Sequence, residues 1–237
     1  MSNPIKSIFE RAQKLVTMGL DRPPQAYLYL DRPSLNEHYQ GITGTARVPG
    51  ITSETLSASI GAKIPIINWG VGGSLETSFS LSDYYLFESL EPELRKLPVA
   101  SSVDDLERTL RGFTWLSGRL SWYRSVMEDG KHAGEATTSY VIEAAGASLL
   151  LICRHESFSP FAPFFTTNPH LYKMAFEVEV LAYNPGILGQ YSPGNVASMS
   201  LALVPTAMIV TDAGRRAEIA EWMKRINKGK IARSYDS

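Results

Sequence analysis

Met174-Ala175-Phe176-Glu177-Val178-Glu179-Val180-Leu181-Ala182 is the stretch whose reading decides the fold. Met174, Phe176, Val178, Val180 and Ala182 alternate strictly, and Glu177 and Glu179 fall on the opposite face. That is the period of a strand with one buried and one wet side. Asn184-Pro185-Gly186 has the chemistry of a turn and is expected to end the strand.

Upstream, the alternating period begins at Gly112. Phe113, Trp115, Leu120 and Trp122 surround Ser117-Gly118, which predicts a hairpin there, and Tyr140 to Ala144 with Ala147 to Cys153 predicts a second hairpin around Gly146. Downstream, Met199 to Val210 reads as a strand pair or one strand bent at Pro205. Strands joined by turns rather than crossover helices imply a mixed or mainly antiparallel sheet.

Helical spacing dominates before Gly112. Asn3 and Pro4 suit a helix start, and Ile5, Ile8, Phe9, Ala12, Leu15 and Val16 form one apolar stripe that ends before Gly19. Asp21-Arg22-Pro23-Pro24 separates this helix, residues 1–20, from a domain expected over 25–237. Ala26 to Leu30 predicts a short strand. Ser34 and Glu37 have capping-box spacing for a helix that Gly41 ends. Two strands and a loop are expected across 42–77. Ser82 caps a further helix carrying Leu86, Phe87, Leu90, Leu94 and Leu97, kinked or divided at Pro92, and Ser102 caps another that ends at Gly112. A closing helix spans 213–227. The expected class is α+β, with helices concentrated in the N-terminal half, a closing C-terminal helix, and two lobes meeting near 98–102.

The 237 residues, 44% hydrophobic and 20% charged, suit a packed domain without a staple. Cys153 is the single cysteine, so no internal disulfide forms. A net charge of −1 lacks the basic excess on which phosphate-backbone affinity rests, and nucleic acid is not the expected partner. The start lacks a signal-peptide pattern and no apolar run approaches about 20 residues, which places the chain in the cytoplasm without a membrane span.

Three groups of residues could carry chemistry. Tyr27, Tyr29, Asp31 and Arg32, with His38 and Tyr39 on the following helix, could present an aromatic and polar surface to a ligand or partner. They equally suit packing and a turn. Gly70, Gly72 and Gly73 could turn amides towards a phosphate, although no Gly-Lys-Ser/Thr follows. Cys153 and His155 would share a strand face beside Glu156, a thiol–imidazole arrangement with too few ligands for zinc. No G-x-S-x-G or His-Glu-x-x-His occurs, and no metal or cofactor is expected.

Tyr29-Leu30-Asp31, followed by Leu35, Tyr39 and Gly41, resembles the opening of an uncharacterised bacterial family, and the order of later elements up to Trp122 is similar. The resemblance implies a bacterial cytoplasmic accessory protein and transfers no activity. These observations favour a non-catalytic binding or regulatory module that contacts a protein partner or a second copy through its N-terminal helix. The alternatives are a hydrolase-like enzyme using His and carboxylate, and a nucleotide or anion sensor using the glycine-rich loop.

Overall fold

The structure, a computed structural model, describes residues 11, 26–44, 81–126, 136–158, 176–191, 196–214 and 216–217. Apart from helical Arg11, the N-terminal helix lies outside the described residues. So do Gly70, Gly72 and Gly73 and most of the expected closing helix. The elements are β1 (Tyr27–Leu30), α1 (Arg32–Thr43), α2 (Leu81–Leu94), α3 (Val103–Arg108), β2 (Phe113–Val126), β3 (Ala136–Ala144), β4 (Ala147–Leu151), β5 (Phe176–Tyr191) and β6 (Ser198–Val210). The chain is therefore α+β. Helix does not segregate cleanly to the N-terminal half: a 3-10 turn occupies His155–Ser157, and residues 213, 214, 216 and 217 are helical.

The sheet closes on itself. β2 pairs with β3 and β5, β3 with β4, β4 with β6, and β6 with β5. Every pairing is antiparallel except β4 with β6, where Leu150 meets Ala202 and Leu151 meets Leu203. Five strands in this order form a Greek-key barrel of the OB type. β1 then continues along the β6 edge past β4, with Tyr29 opposite Met208 and Leu30 opposite Ala207.

Closure depends on β2 serving two partners. Its first half pairs with β5 from Phe113 to Leu120 and its second half with β3 from Gly118 to Val126. The expected hairpin at Ser117-Gly118 is absent because this glycine marks a close approach rather than a turn. A Cβ there would lie 2.2 Å from the Glu143 carbonyl oxygen and 2.8 Å from the Ala144 Cβ. The hairpin at Gly146 forms as expected. Ala145 and Gly146 both have positive φ, the geometry that matches the twist of two-residue hairpins.

Two expected breaks are instead bulges. β5 runs through Asn184-Pro185-Gly186, where the pairing with β6 shifts register between Tyr183 and Ile187. Asn184 is buried and fixes this bulge: its Nδ2 donates to the Leu106 carbonyl, its Oδ1 accepts from Gly186 N, and its backbone bonds Arg111 and Gly112. β6 is one strand with Pro205 at its own register shift, a position that needs no ladder donor.

Leu116, Leu120, Trp122, Ile142, Leu151, Val180, Leu203 and Met208 belong to the cluster that fills the barrel. A second cluster joins α1 and α2 to the outside of β1, β2 and β6 through Leu35, Tyr39, Phe87, Leu90, Trp115 and Ile209. Each such side chain contributes about 1.5–3 kcal/mol by leaving water. Trp115 Nε1 donates to the Leu94 carbonyl at 2.8 Å, and the Arg95 guanidinium lies 4.0 Å over its ring. Arg95 also bonds Glu91 and Glu179, tying the end of α2 to β5. Pro98 and Ala100, expected at a seam, hydrogen bond to Trp115 and are stitched to β2.

Pro92 lies within α2 without dividing it. Proline lacks the N–H that would bond the carbonyl four residues earlier, that of Glu88. Arg11 Nε donates to this carbonyl at 2.7 Å, so the N-terminal segment satisfies an acceptor that the helix leaves open. Among the described residues, no helix is long and apolar enough to cross a membrane.

Candidate functional site

Asp31 follows β1, and its amide donates to the Thr206 carbonyl at 2.8 Å, extending the strand pairing by one residue. Its extended backbone and short carboxylate make it the N-cap of α1, accepting from Ser34 N at 3.2 Å, with Pro33 in the first turn. The cap expected at Ser34 therefore sits three residues earlier. α1 also runs past Gly41 to Gly44, whose φ of 67° forms the left-handed stop. Asp-x-Pro-Ser was the missed signal.

The Asp31 carboxylate is 1% exposed and is engaged from three sides. Ser34 Oγ donates to Oδ2 at 2.5 Å, Ser157 Oγ donates to Oδ1 at 2.8 Å, and Arg154 Nη1 lies 3.8 Å from Oδ1. Arg154 N donates to the Tyr29 hydroxyl at 3.1 Å. The Tyr29 ring packs edge-on against Phe158, which in turn lies against Tyr140. Tyr29 and Asp31 thus meet Arg154 and Ser157, which lie over a hundred positions away in sequence beside the candidates Cys153, His155 and Glu156, in one polar latch between β1 and the segment leaving β4.

That geometry changes the reading of Cys153, His155 and Glu156. The segment leaves the extended conformation after Leu151, and His155 starts the 3-10 turn, so Cys153 and His155 do not share a strand face. Cys153 packs against the barrel core, and its thiol donates weakly to the Leu151 carbonyl. Burial, reinforced by the nearby Asp31 carboxylate, pushes the thiol well above its ordinary pKa and away from a nucleophilic thiolate. Glu156 is exposed. Among the described residues, no cluster of three or more His, Cys, Asp or Glu side chains could hold a metal ion.

The expected aromatic surface of Tyr27, Tyr29, Asp31 and Tyr39 is buried, because β1 lies between the barrel and the helices rather than at a free face. Tyr27 donates to the Glu88 carboxylate, itself buried. Burial pushes the Tyr29 phenol far above its ordinary pKa. Arg32 stays exposed and pairs with Asp83 at 3.4 Å. His38 is half-buried against Phe113 at 4.3 Å between ring centres, in a cleft of about 230 Å³ also lined by Glu37, Gly41 and Ile42. Burial lowers the His38 pKa, with Glu37 opposing, which favours the neutral ring.

A different feature presents itself to solvent. Beyond the bulge at Asn184, β5 from Ile187 to Tyr191 pairs, among the described residues, only with β6, forming an arm past the end of the β2 pairing. Leu188 is 68% exposed and Met199 is 63% exposed, with Ile187 and Val196 also exposed. The face of the arm that carries Ile187 packs by Tyr191 onto Tyr123, over Val141, Leu150 and Ala202. Gly189 permits this approach, since a Cβ would lie 2.4 Å from the Leu150 Cδ2. Sequence reasoning missed the arm, although a signal existed: no charged residue occurs from Val180 to Thr211.

No family model, curated protein or solved structure matches the chain.

Proposed function

We propose that the protein is a non-catalytic binding module, an accessory protein that acts through contacts made by the uncharged β5–β6 arm. The observation that carries this reading is the concentration of exposed apolar side chains on that arm, Ile187, Leu188, Val196 and Met199, outside a barrel whose interior is filled. Contiguous apolar surface on a folded chain marks an interaction site. The polar latch supports the same division of labour, since its hydrogen bonds join β1, α1 and the segment after β4.

Affinity co-purification with the unaltered chain and with a Leu188→Lys, Met199→Lys chain tests the reading. Companions, whether further copies or other proteins, should be retained by the first and lost from the second. Identical retention by both chains contradicts it, as does an unchanged outcome alongside loss of function on replacing His38.

A second reading, stacking of an aromatic ligand such as a nucleotide, is favoured by one observation. Tyr123 and Tyr191 are both partly exposed and lie 5.9 Å apart on the outer barrel face, where OB barrels bind their ligands. This is analogy at the level of fold. Nucleotides that raise the unfolding temperature of the unaltered chain, but not of a Tyr123→Leu chain, would support stacking over protein contact.

A further inference from the structure

We propose that the open edge Ile187–Tyr191 pairs with the same edge of a second copy of this chain, forming a symmetric antiparallel dimer. The proposal rests on the binding-module reading and names its partner. From Phe176 to Tyr183, β5 lies between β2 and β6, whereas among the described residues Ile187 to Tyr191 have β6 alone. An unpaired edge offers a row of amide and carbonyl groups to another strand, and chains guard such edges with lysine, other charges or proline. Ile187-Leu188-Gly189-Gln190-Tyr191 contains none of these.

Charge argues for a second copy as the occupant. With no charged residue from Val180 to Thr211, the arm has nothing that would select a charged partner. Two such arms also meet without like-charge repulsion. A two-fold axis at Gly189 sets Ile187 of one copy against Tyr191 of the other, and Leu188 against Gln190. Pairing a β-branched with an aromatic residue across strands is favourable. The symmetry makes the contact self-limiting, because the same edge serves both copies.

The faces agree with this register. Leu188 lies opposite Leu201 and Gln190 opposite Met199, so these four share one face of the arm. Leu201 packs against the barrel core, while Leu188 and Met199 continue that face into solvent. Past Ala202, where β6 still pairs with β4, the ribbon has two strands and is marginal by itself, and a dimer joins two of them into one four-stranded sheet with Leu188, Met199, Leu201 and Gln190 on one face.

Sedimentation equilibrium of the full chain tests the proposal. The unaltered chain should be a dimer at micromolar concentration. Leu188→Lys should weaken association at least about tenfold, which is about 1.4 kcal/mol, with unchanged circular dichroism. Leu188→Lys combined with Gln190→Glu should restore the dimer, since positions 188 and 190 face each other across the axis. A monomer at about 100 μM, a dimer indifferent to Leu188→Lys, or failure of the double variant to recover each overturns the proposal. Should the chain be monomeric yet retain a different protein in an arm-dependent way, the second copy is excluded and the binding reading stands. If arm substitutions alter neither, both fall.

Discussion

Replacing Asp31 by alanine should cost the protein about 3–4 kcal/mol, the sum of about 1 for a lost helix N-cap and about 2–3 for buried hydrogen bonds left unmade. The Asp31 carboxylate caps α1 and accepts from Ser34 and Ser157, and Ser157 is only 4% exposed. Once the carboxylate is removed, the Ser157 hydroxyl remains buried without that acceptor. Arg154 adds little to the sum, because its side chain is 52% exposed and the separation is 3.8 Å. Set against domain stabilities of about 5–15 kcal/mol, the loss is large. Urea unfolding followed by circular dichroism measures it, provided that the slope against urea is unchanged. Ser34→Ala removes one of the donors and should cost under about 1 kcal/mol. Asp31→Asn keeps an acceptor and should fall between the two, which gives a measurable point if the alanine variant does not fold. Equal stability of the Asp31→Ala and Ser34→Ala chains would refute the reasoning, because release of a buried charge would then offset every bond that it makes.

Gly118→Ala should destabilise by over about 2 kcal/mol, since its Cβ meets backbone 2.2 Å away. Gly146→Ala meets nothing within 4 Å and should cost only about 1 kcal/mol for its positive φ; equal losses in urea unfolding would contradict the closure geometry. Cys153 should react with a thiol reagent in the folded chain far more slowly than in urea, and fast labelling without unfolding would refute its packed, protonated state. His38 has a folded pKa below its unfolded value, so its contribution to stability is present above about pH 6.5 and is lost as pH falls. His38→Gln should flatten this part of the stability–pH curve, and an unchanged curve would count against the burial argument.

Local chemistry was legible in the sequence where it acts locally. Ser102 does cap α3 through Asp105 N, and the Gly146 hairpin forms where the period and the glycine place it. Glycine and proline misled wherever long-range packing decides their role. Gly118 reads as a turn until Glu143 is known to lie against it, and Asn184-Pro185-Gly186 reads as a stop until Leu106 and Gly112 hold it as a bulge. Barrel closure rests on the parallel pairing of Leu150 and Leu151 with Ala202 and Leu203, which no local pattern encodes. Asp31 stands out in the sequence by type and Ser157 does not, because the two meet only in the fold. Their aromatic neighbours serve the core, since a strand covered on both sides buries every side chain.

Hydrogen exchange of the Ile187–Tyr191 amides at several protein concentrations tests most directly whether the arm is an association surface. Strand pairing between copies predicts that protection of this segment rises with concentration, while Phe113 to Leu120, already paired with β5, stays constant. Protection of Ile187–Tyr191 that is independent of concentration would contradict pairing between copies.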